Sequence, residues 1–185
     1  MISKNFGEIP APAELSGPDE AVLDAVQAGF ATVGGLIERH RQKAAVAEAM
    51  RTVAEVNKYV SDMVPWKLAK SADESDRARL GTILHVTAQA VADCNVMLSP
   101  FLPHSANAVN RVLGGSGQIA PMPVIEEVED LDGGPSYPIL TGDYSDVPAW
   151  GRRSVVAGTP IGPATPVFTK LDPSVVDEEL ARLAG

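Results

Sequence analysis

The chain has 185 residues, of which only one is a cysteine and three are histidines. Its one cysteine, Cys94, excludes an internal disulfide and a cysteine-based metal cage. None of the three histidines has metal-ligand spacing to another histidine or to the cysteine. Neither a nucleophile elbow nor a phosphate-binding loop occurs. Because Cys94 lies in an apolar run, we expect its thiol to be buried.

Long apolar runs are missing as well. No stretch approaches the roughly 18 apolar residues of a membrane span, and residues 1–10 lack the basic start and apolar run of a secretory signal. We therefore expect a cytoplasmic protein with no membrane partner. Hydrophobic residues make up 45% of the chain, an ordinary share for a globular domain with one core.

Net positive charge is also lacking, since the formal net charge is −9. This balance disfavours a general nucleic-acid binder. The charge is unevenly spread, however. Residues 1–114 hold 11 basic and 13 acidic residues, a net of −2, whereas residues 115–185 hold 4 and 11, a net of −7. Residues 41–70 hold 6 and 3, a net of +3, so this stretch can face phosphate.

Helical spacing of apolar residues predicts an all-α fold. The predicted helices lie at about 18–40, 42–63, 72–99, 103–114 and 173–183. Ser71 and Glu74 have the spacing of a capping box before the third helix, and Asp172 is placed to cap the last one. The third helix is apolar on nearly every side from Leu80 to Leu98, which predicts a central position in an antiparallel helix bundle.

Prolines and glycines mark the segments outside the bundle. Residues 1–18 contain three prolines and are predicted to be an irregular lead-in. Residues 115–185 are rich in Gly and Pro and acidic, which predicts an extended tail with no core of its own beyond one short hairpin. A terminal helix this short is marginal alone, so we expect it to dock. The predicted organisation is a bundle over residues 1–114 and a tail over residues 115–185.

The second predicted helix carries one amide on an apolar stripe. The stripe consists of Val46, Met50, Val53, Asn57 and Val60. A buried Asn57 needs hydrogen-bond partners, which are more often structural than supplied by a ligand. The outer face of the same helix carries Lys43, Glu48, Arg51, Glu55 and Lys58, and we expect it to be basic.

A tryptophan directly follows the proline that ends this helix. Pro65 and Trp66 precede two lysines, Lys67 and Lys70. An aromatic ring at the corner of a bundle can be half exposed and stack on an unpaired base, at about 1–3 kcal/mol per base. The lysines beside it can meet phosphate. The alternative, which composition alone favours, is that Trp66 closes the end of the bundle.

Four segments form a pattern that extends over most of the chain: residues 1–7 (MISKNFG) with Ile9 and Pro10, residues 55–60 (EVNKYV) with 64–70 (VPWKLAK), residues 98–104 (LSPFLPH), and residues 158–162 (GTPIG) with 166–170 (PVFTK). These segments resemble the anticodon-binding region of bacterial methionyl-tRNA synthetases, a class I family. The segments occur in the family's order and span nearly the whole chain. Together they are a more specific signal than any one of them.

The resemblance implies a helical domain that reads the CAU anticodon of a methionine tRNA. Trp66 with Pro65 would stack against the first anticodon base, the cytosine, and Asn57, Lys58 and Lys67 are further candidate contacts. The family's other main readers, an Asn and an Arg, lie on a helix before the position of Met1. We therefore expect weaker anticodon binding by this chain alone.

The family joins methionine to its tRNA with ATP, and its members carry zinc-binding cysteines. The two class I ATP signatures and those cysteines do not occur in this sequence. We therefore expect part of a longer synthetase, with no cofactor of its own and no activity by itself. Its expected partners are the anticodon stem-loop of the tRNA and the catalytic domain.

Two alternatives come from other functional classes. The first is a protein-interaction module derived from a synthetase, in which the acidic tail and last helix dock on a partner and Trp66 is structural. The second is a small all-helical enzyme. It needs charged residues that converge in a core pocket, and the mostly apolar helix faces do not supply them.

Overall fold

All five predicted helices are present in the structure, a computed structural model that describes residues 1–142 and 149–183. The elements in chain order are α1 (Ile2–Asn5), α2 (Gly17–Glu38), α3 (Gln42–Met63), α4 (Pro65–Leu68), α5 (Glu74–Leu98), α6 (Pro103–Val112), β1 (Val124–Val128), β2 (Tyr137–Thr141) and α7 (Ser174–Leu183). The all-α fold class is confirmed, with one two-stranded hairpin in the tail.

The three long helices α2, α3 and α5 pack against one another and form the bundle. Three residues join α2 to α3, so these helices run antiparallel. The buried residues of α5 include Leu80, Ile83, Val86 and Met97, so its predicted central position is confirmed. Cys94 is also buried there, as expected, and burial raises the pKa of its thiol to about 12.

The face of α3 that enters the core differs from the predicted stripe. Its buried residues are Ala45, Ala49, Thr52, Val56 and Tyr59. Met50 is 51% exposed and Asn57 is exposed, so the stripe through these two residues was wrong. Both sets have helical spacing, and the smaller residues are buried because they let α2 approach. A Cβ added to Gly29 of α2 would lie 3.1 Å from the Thr52 hydroxyl oxygen.

The start of α5 differs from the predicted capping box. Its N-cap is Asp73, whose carboxylate accepts a hydrogen bond from the backbone N–H of Ser75 at 2.7 Å. The pairing of Ser71 with Glu74 was therefore wrong, because a carboxylate nearer the first turn is a stronger acceptor than a hydroxyl. At α7 the predicted cap is confirmed, since Asp172 accepts from the backbone N–H of Ser174 at 2.9 Å.

The lead-in before α2 is more ordered than its prolines suggest. One helical turn, α1, precedes the first proline, so the expectation of a wholly irregular lead-in was wrong. The following residues lie along α5. The backbone N–H of Ala13 donates to Thr82 Oγ1 at 2.9 Å, and the carbonyl oxygen of Pro10 lies 2.9 Å from His85 Nδ1. The lead-in therefore covers one side of the central helix.

Part of the acidic tail lies on the bundle. The N–H of Ile9 donates to the carbonyl of Thr159 at 2.8 Å, and the N–H of Gly158 donates to the carbonyl of Ile9 at 2.8 Å. Nearby, Arg152 Nε lies 3.2 Å from the carboxylate of Asp93, which is buried in α5. Two of the four segments that carry the family resemblance therefore pair with each other in space.

The hairpin and the last helix are exposed. In the antiparallel pair of β1 and β2, Ile125 lies opposite Leu140, and these side chains are 70% and 72% exposed. No described residue of α7 is buried, and Val176, Leu180 and Leu183 are exposed. The docking of this helix and the boundary between residues 114 and 115 stay predictions.

α2 has the length and composition of a membrane span, with a mean hydropathy of 1.2 over its most apolar 18 residues. The expectation that no stretch approaches such a span was therefore too strong. The helix packs against α3 and α5 and has the buried carboxylate of Asp19 in its first turn. Core packing accounts for its apolar residues.

Trp150 attaches the tail to α2, a role that the sequence did not reveal. Its indole Nε1 donates to the carbonyl of Phe30 at 3.0 Å, and the two rings meet edge to face with centroids 5.6 Å apart. A Cβ added to Gly34 would lie 2.8 Å from the same indole nitrogen. Gly34 therefore leaves room beside α2 for the Trp150 side chain.

We expect Gly34→Ala and Gly35→Ala to change stability in opposite directions. A Cβ on Gly35 would meet only the flexible end of Arg39, at 3.3 Å. Gly35→Ala should therefore raise the free energy of unfolding by about 0.5–1 kcal/mol, the helix-propensity gain. Gly34→Ala should lower it, because the new methyl group displaces Trp150. Urea unfolding followed by circular dichroism measures both, and equal stabilisation would contradict this packing.

Candidate nucleic-acid interface

The chain turns sharply where α3 meets α4. Val64, between the two helices, has φ 43° and ψ 49°, in the left-handed region that β-branched residues rarely adopt. Pro65 takes the first position of α4, which suits its fixed φ and its missing N–H. The N–H of Lys67 donates to the carbonyl of Val64 at 2.9 Å and closes the turn. The turn leads out of α3 and places α4 against α5.

Trp66 lies at this corner with 45% of its surface exposed. Its neighbours fill the end of the bundle instead, because Pro65 is fully buried and Leu68 packs against the core. The expectation of a half-exposed ring at the bundle corner is confirmed. The indole is therefore open to a ligand. The backbone of Trp66 is held by α3 on one side and by the contacts of α4 with α5 on the other.

Exposed cations lie near the corner. They are Lys58, Lys67 and Lys70. Among residues 1–142 and 149–183, neither Lys58 nor Lys67 forms an ion pair. Arg51 differs, because its guanidinium lies 2.7 Å from the Glu48 carboxylate and 3.6 Å from that of Glu55. Among the described residues, exposed cations outside the ion pairs therefore lie at both ends of α3, with Arg41 and Lys43 at its start and Lys58 and Lys67 toward Trp66.

Asn57 lies on the solvent face of α3 and not in the core. It is exposed together with Ala54 and Ser61. The interpretation of Asn57 as a buried structural amide was therefore wrong, because the buried face of the helix runs through Thr52, Val56 and Tyr59. Its amide is accessible six residues before the end of α3, about 9 Å along the axis.

A buried carboxylate holds the helix ends behind the corner. Asp19, in the first turn of α2, accepts a hydrogen bond from the Tyr59 hydroxyl of α3 at 2.5 Å. Arg79 of α5 donates to both carboxylate oxygens, at 2.5 Å and 2.9 Å. The backbone N–H of Ser16 adds a bond of 2.7 Å. Three helices therefore meet at one charged group.

Burial raises the pKa of Asp19, but the hydrogen bonds from Arg79, Tyr59 and Ser16 outweigh it and hold that pKa well below its usual range. Burial and the adjacent carboxylate raise the pKa of Tyr59, so its hydroxyl keeps its proton. The sequence patterns did not reveal that Asp19 is paired with Tyr59 and Arg79. The spacing of Ser16 and Asp19 is that of a capping box, but it does not reveal the partners on other helices.

The described residues contain no group of three or more His, Cys, Asp and Glu side chains that could hold a metal ion. The two buried carboxylates, Asp19 and Asp93, are each paired with an arginine. Burial raises the pKa of Asp93. These charged groups serve helix and tail packing.

Comparison with curated proteins relates the chain to methionine–tRNA ligases. It is 65% identical over 183 residues to the methionine–tRNA ligase of Nocardioides sp., with 99% of this chain and 30% of that protein covered. It is 59% identical over 187 residues to that of Salinispora arenicola, with 100% and 31% covered. The chain thus spans about 30% of the length of the curated relatives it matches. No family model matches.

Solved structures give the same relationship. The apo form of Mycobacterium tuberculosis methionyl-tRNA synthetase superposes with a TM-score of 0.71 at 26% identity, covering 94% of this chain and 30% of that one. The structure of that synthetase bound by methionyl-adenylate gives a TM-score of 0.68 at 26% identity, covering 91% and 28%.

The helix bundle has the fold of one part of an aminoacyl-tRNA synthetase. Within that class, the chain corresponds along its whole length to one region of the methionyl-tRNA synthetases. The resemblance carried by the four sequence segments is thereby confirmed.

The Asp19 network predicts a specific loss of stability in acid. Asp19→Asn should lower the free energy of unfolding at neutral pH by about 3 kcal/mol, because the change leaves Arg79 without its charged partner. The pKa of Asp19 is depressed in the folded state, so its contribution is present above the unfolded value of about 3.9. It is lost as the pH falls toward the lower folded-state value.

Urea unfolding of both proteins between about pH 5 and pH 2 tests this expectation. The wild type should lose more stability over that interval than Asp19→Asn. Parallel pH dependences of the two proteins would show that the carboxylate does not contribute through its charge.

Proposed function

We propose that this chain is the tRNA-reading region of a methionine–tRNA ligase, in which Trp66 stacks on the first anticodon base, the cytosine. The observation that carries the proposal is the 45% exposed indole at a turn held between α3 and α5. The similarity to methionine–tRNA ligases along the whole chain supports the choice of tRNA.

The corner suits stacking for two physical reasons. A base stacked on an aromatic side chain contributes about 1–3 kcal/mol. Because Val64 and buried Pro65 fix the backbone at Trp66, base stacking there requires less ordering of the chain than it would on a flexible loop. Asn57 offers an exposed amide with both donors and an acceptor, which suits contact with a base edge or a ribose.

Electrostatics limits where RNA can lie. Residues 1–114 carry a net charge of −2, and the positive stretch is residues 41–70, with a net of +3. Within that stretch, Lys58 and Lys67 are exposed and are the phosphate contacts that we propose. Because added salt screens the attraction between these lysines and phosphate, it should weaken RNA binding.

Catalysis would take place outside this region. We propose that methionine activation with ATP, and any zinc site, belong to the part of the synthetase that this chain does not cover. The chain alone would be inactive, and its second partner would be the catalytic domain. We further propose a cytoplasmic location, and a functional division between the helical part, residues 1–114, and the tail, residues 115–185.

A protein-interaction module is the alternative function. The observation in its favour is the exposed apolar face of α7, with Val176, Leu180 and Leu183, beside an acidic tail. In that case Trp66 would have no ligand. Substitution of Trp66 therefore separates the two functions.

We expect Trp66→Ala to weaken binding of the anticodon stem-loop of a methionine tRNA. Loss of one stacked base corresponds to about a 5- to 150-fold rise in Kd. Tyr137→Ala is the matched control, since Tyr137 is an aromatic residue that is 49% exposed on the hairpin. Fluorescence anisotropy of a labelled stem-loop at low salt measures both. An unchanged Kd for Trp66→Ala would favour the interaction module.

We expect neutralisation of Lys58 or Lys67 to reduce the salt dependence of stem-loop binding. Removal of one lysine–phosphate interaction should lower the slope of log K against log salt by about 1. Arg51→Gln is the control on the same helix, because Glu48 and Glu55 already compensate its charge. Titration of Lys58→Gln, Lys67→Gln and Arg51→Gln at several salt concentrations gives the slopes. Equal slopes for all three would contradict the proposed role of the two lysines.

A further inference from the structure

The C-terminal turn of α3 has a direct link to the Asp19 carboxylate. Tyr59 and Met63 are four residues apart, so they lie on the same face of the last turn. The Tyr59 hydroxyl donates to Asp19 at 2.5 Å, and Arg79 Nη2 lies 3.4 Å from Met63 Sδ. The same Arg79 nitrogen donates to Asp19 at 2.9 Å. The final turn of α3 is therefore fastened to α2 and α5 through one carboxylate and one guanidinium.

Only Val64 and Pro65 separate this fastened turn from Trp66. Val64 is held in the left-handed region, and Pro65 has a fixed φ and is fully buried. A chain with so little torsional freedom transmits the position of Met63 to the next residues. The contacts of α4 with α5 then constrain the far side of the indole's backbone.

We propose that Asp19, Tyr59 and Arg79 are positioning residues that hold the Trp66 ring where an unpaired base stacks on it. The proposal rests on the proposed function for its consequence in RNA binding, but the positioning itself is a property of the free protein. Asp19 is fully buried, so none of these effects requires that it touch RNA.

The first test observes the ring without RNA. The chain has two tryptophans, Trp66 and Trp150, so a nitrogen-15 spectrum has two indole Nε1–H signals. Tyr59→Phe removes the hydroxyl and keeps the ring. It should shift or broaden the Trp66 signal and leave the Trp150 signal in place. Arg79→Lys keeps the positive charge but loses the pair of hydrogen bonds from the guanidinium to the two Asp19 oxygens. It should also shift or broaden the Trp66 signal.

The control perturbs another buried carboxylate. Asp93→Asn weakens the pair with Arg152, about 21 Å further along α5 from Arg79. It should move the Trp150 signal and leave that of Trp66 unchanged. An unchanged Trp66 signal in both Tyr59→Phe and Arg79→Lys, with circular dichroism showing folded proteins, would overturn the proposal.

The second test is a double-mutant cycle on stem-loop binding. Tyr59→Phe should raise Kd by roughly threefold to tenfold, a part of the stacking contribution of one base. In a Trp66→Ala background it should have no further effect, because the residue acts through the ring. If Tyr59→Phe raised Kd equally in the wild type and in the Trp66→Ala background, the positioning role would be overturned. If Trp66→Ala alone leaves Kd unchanged, the proposed function fails, and the indole signals still decide the positioning claim.

Discussion

Hydrogen bonds from Tyr59 and Arg79 to the buried Asp19 carboxylate bring the ends of three helices to one point. A charge removed from water costs several kcal/mol unless partners surround it, so both donors must stay in place while Asp19 is ionised. This requirement fixes how α2, α3 and α5 meet and where α3 ends. The position of Trp66 then depends on where α3 ends, because Val64 and Pro65 leave the backbone between them little torsional freedom.

The spans of the long helices could be predicted because their signals are local. α3 runs from Gln42 to Met63, as apolar spacing and the following Pro65 indicated. The buried face of that helix could not be predicted. Two sets of residues share helical spacing, and the set with alanines is buried because a neighbouring helix comes close at Gly29. Which set faces inward is therefore decided by the neighbour.

The candidate site likewise has a part that the sequence could predict and a part that it could not. The place of Trp66 after Pro65 predicted a corner position but left both an exposed and an enclosed ring possible, and the family resemblance supplies its possible ligand. The carboxylate network behind it joins residues 40 and 60 positions apart, which no local spacing encodes. The capping-box spacing of Ser16 and Asp19 is typical of a helix start and carries no information about the other two helices. Contacts between residues so far apart in sequence become apparent only in the folded bundle.

The tail is also held by contacts between residues that are far apart in sequence. Gln89 of α5 binds the carbonyl of Arg153 at 2.8 Å and the N–H of Val155 at 3.0 Å, and Trp150 lies where Gly34 has no side chain. A methyl group at the glycine and a large ring at the tryptophan exclude each other. Among relatives these two alignment columns should covary, with a larger residue in the first only where the ring is lost. An alignment alone would then reveal the fold-back of a segment that has little regular structure.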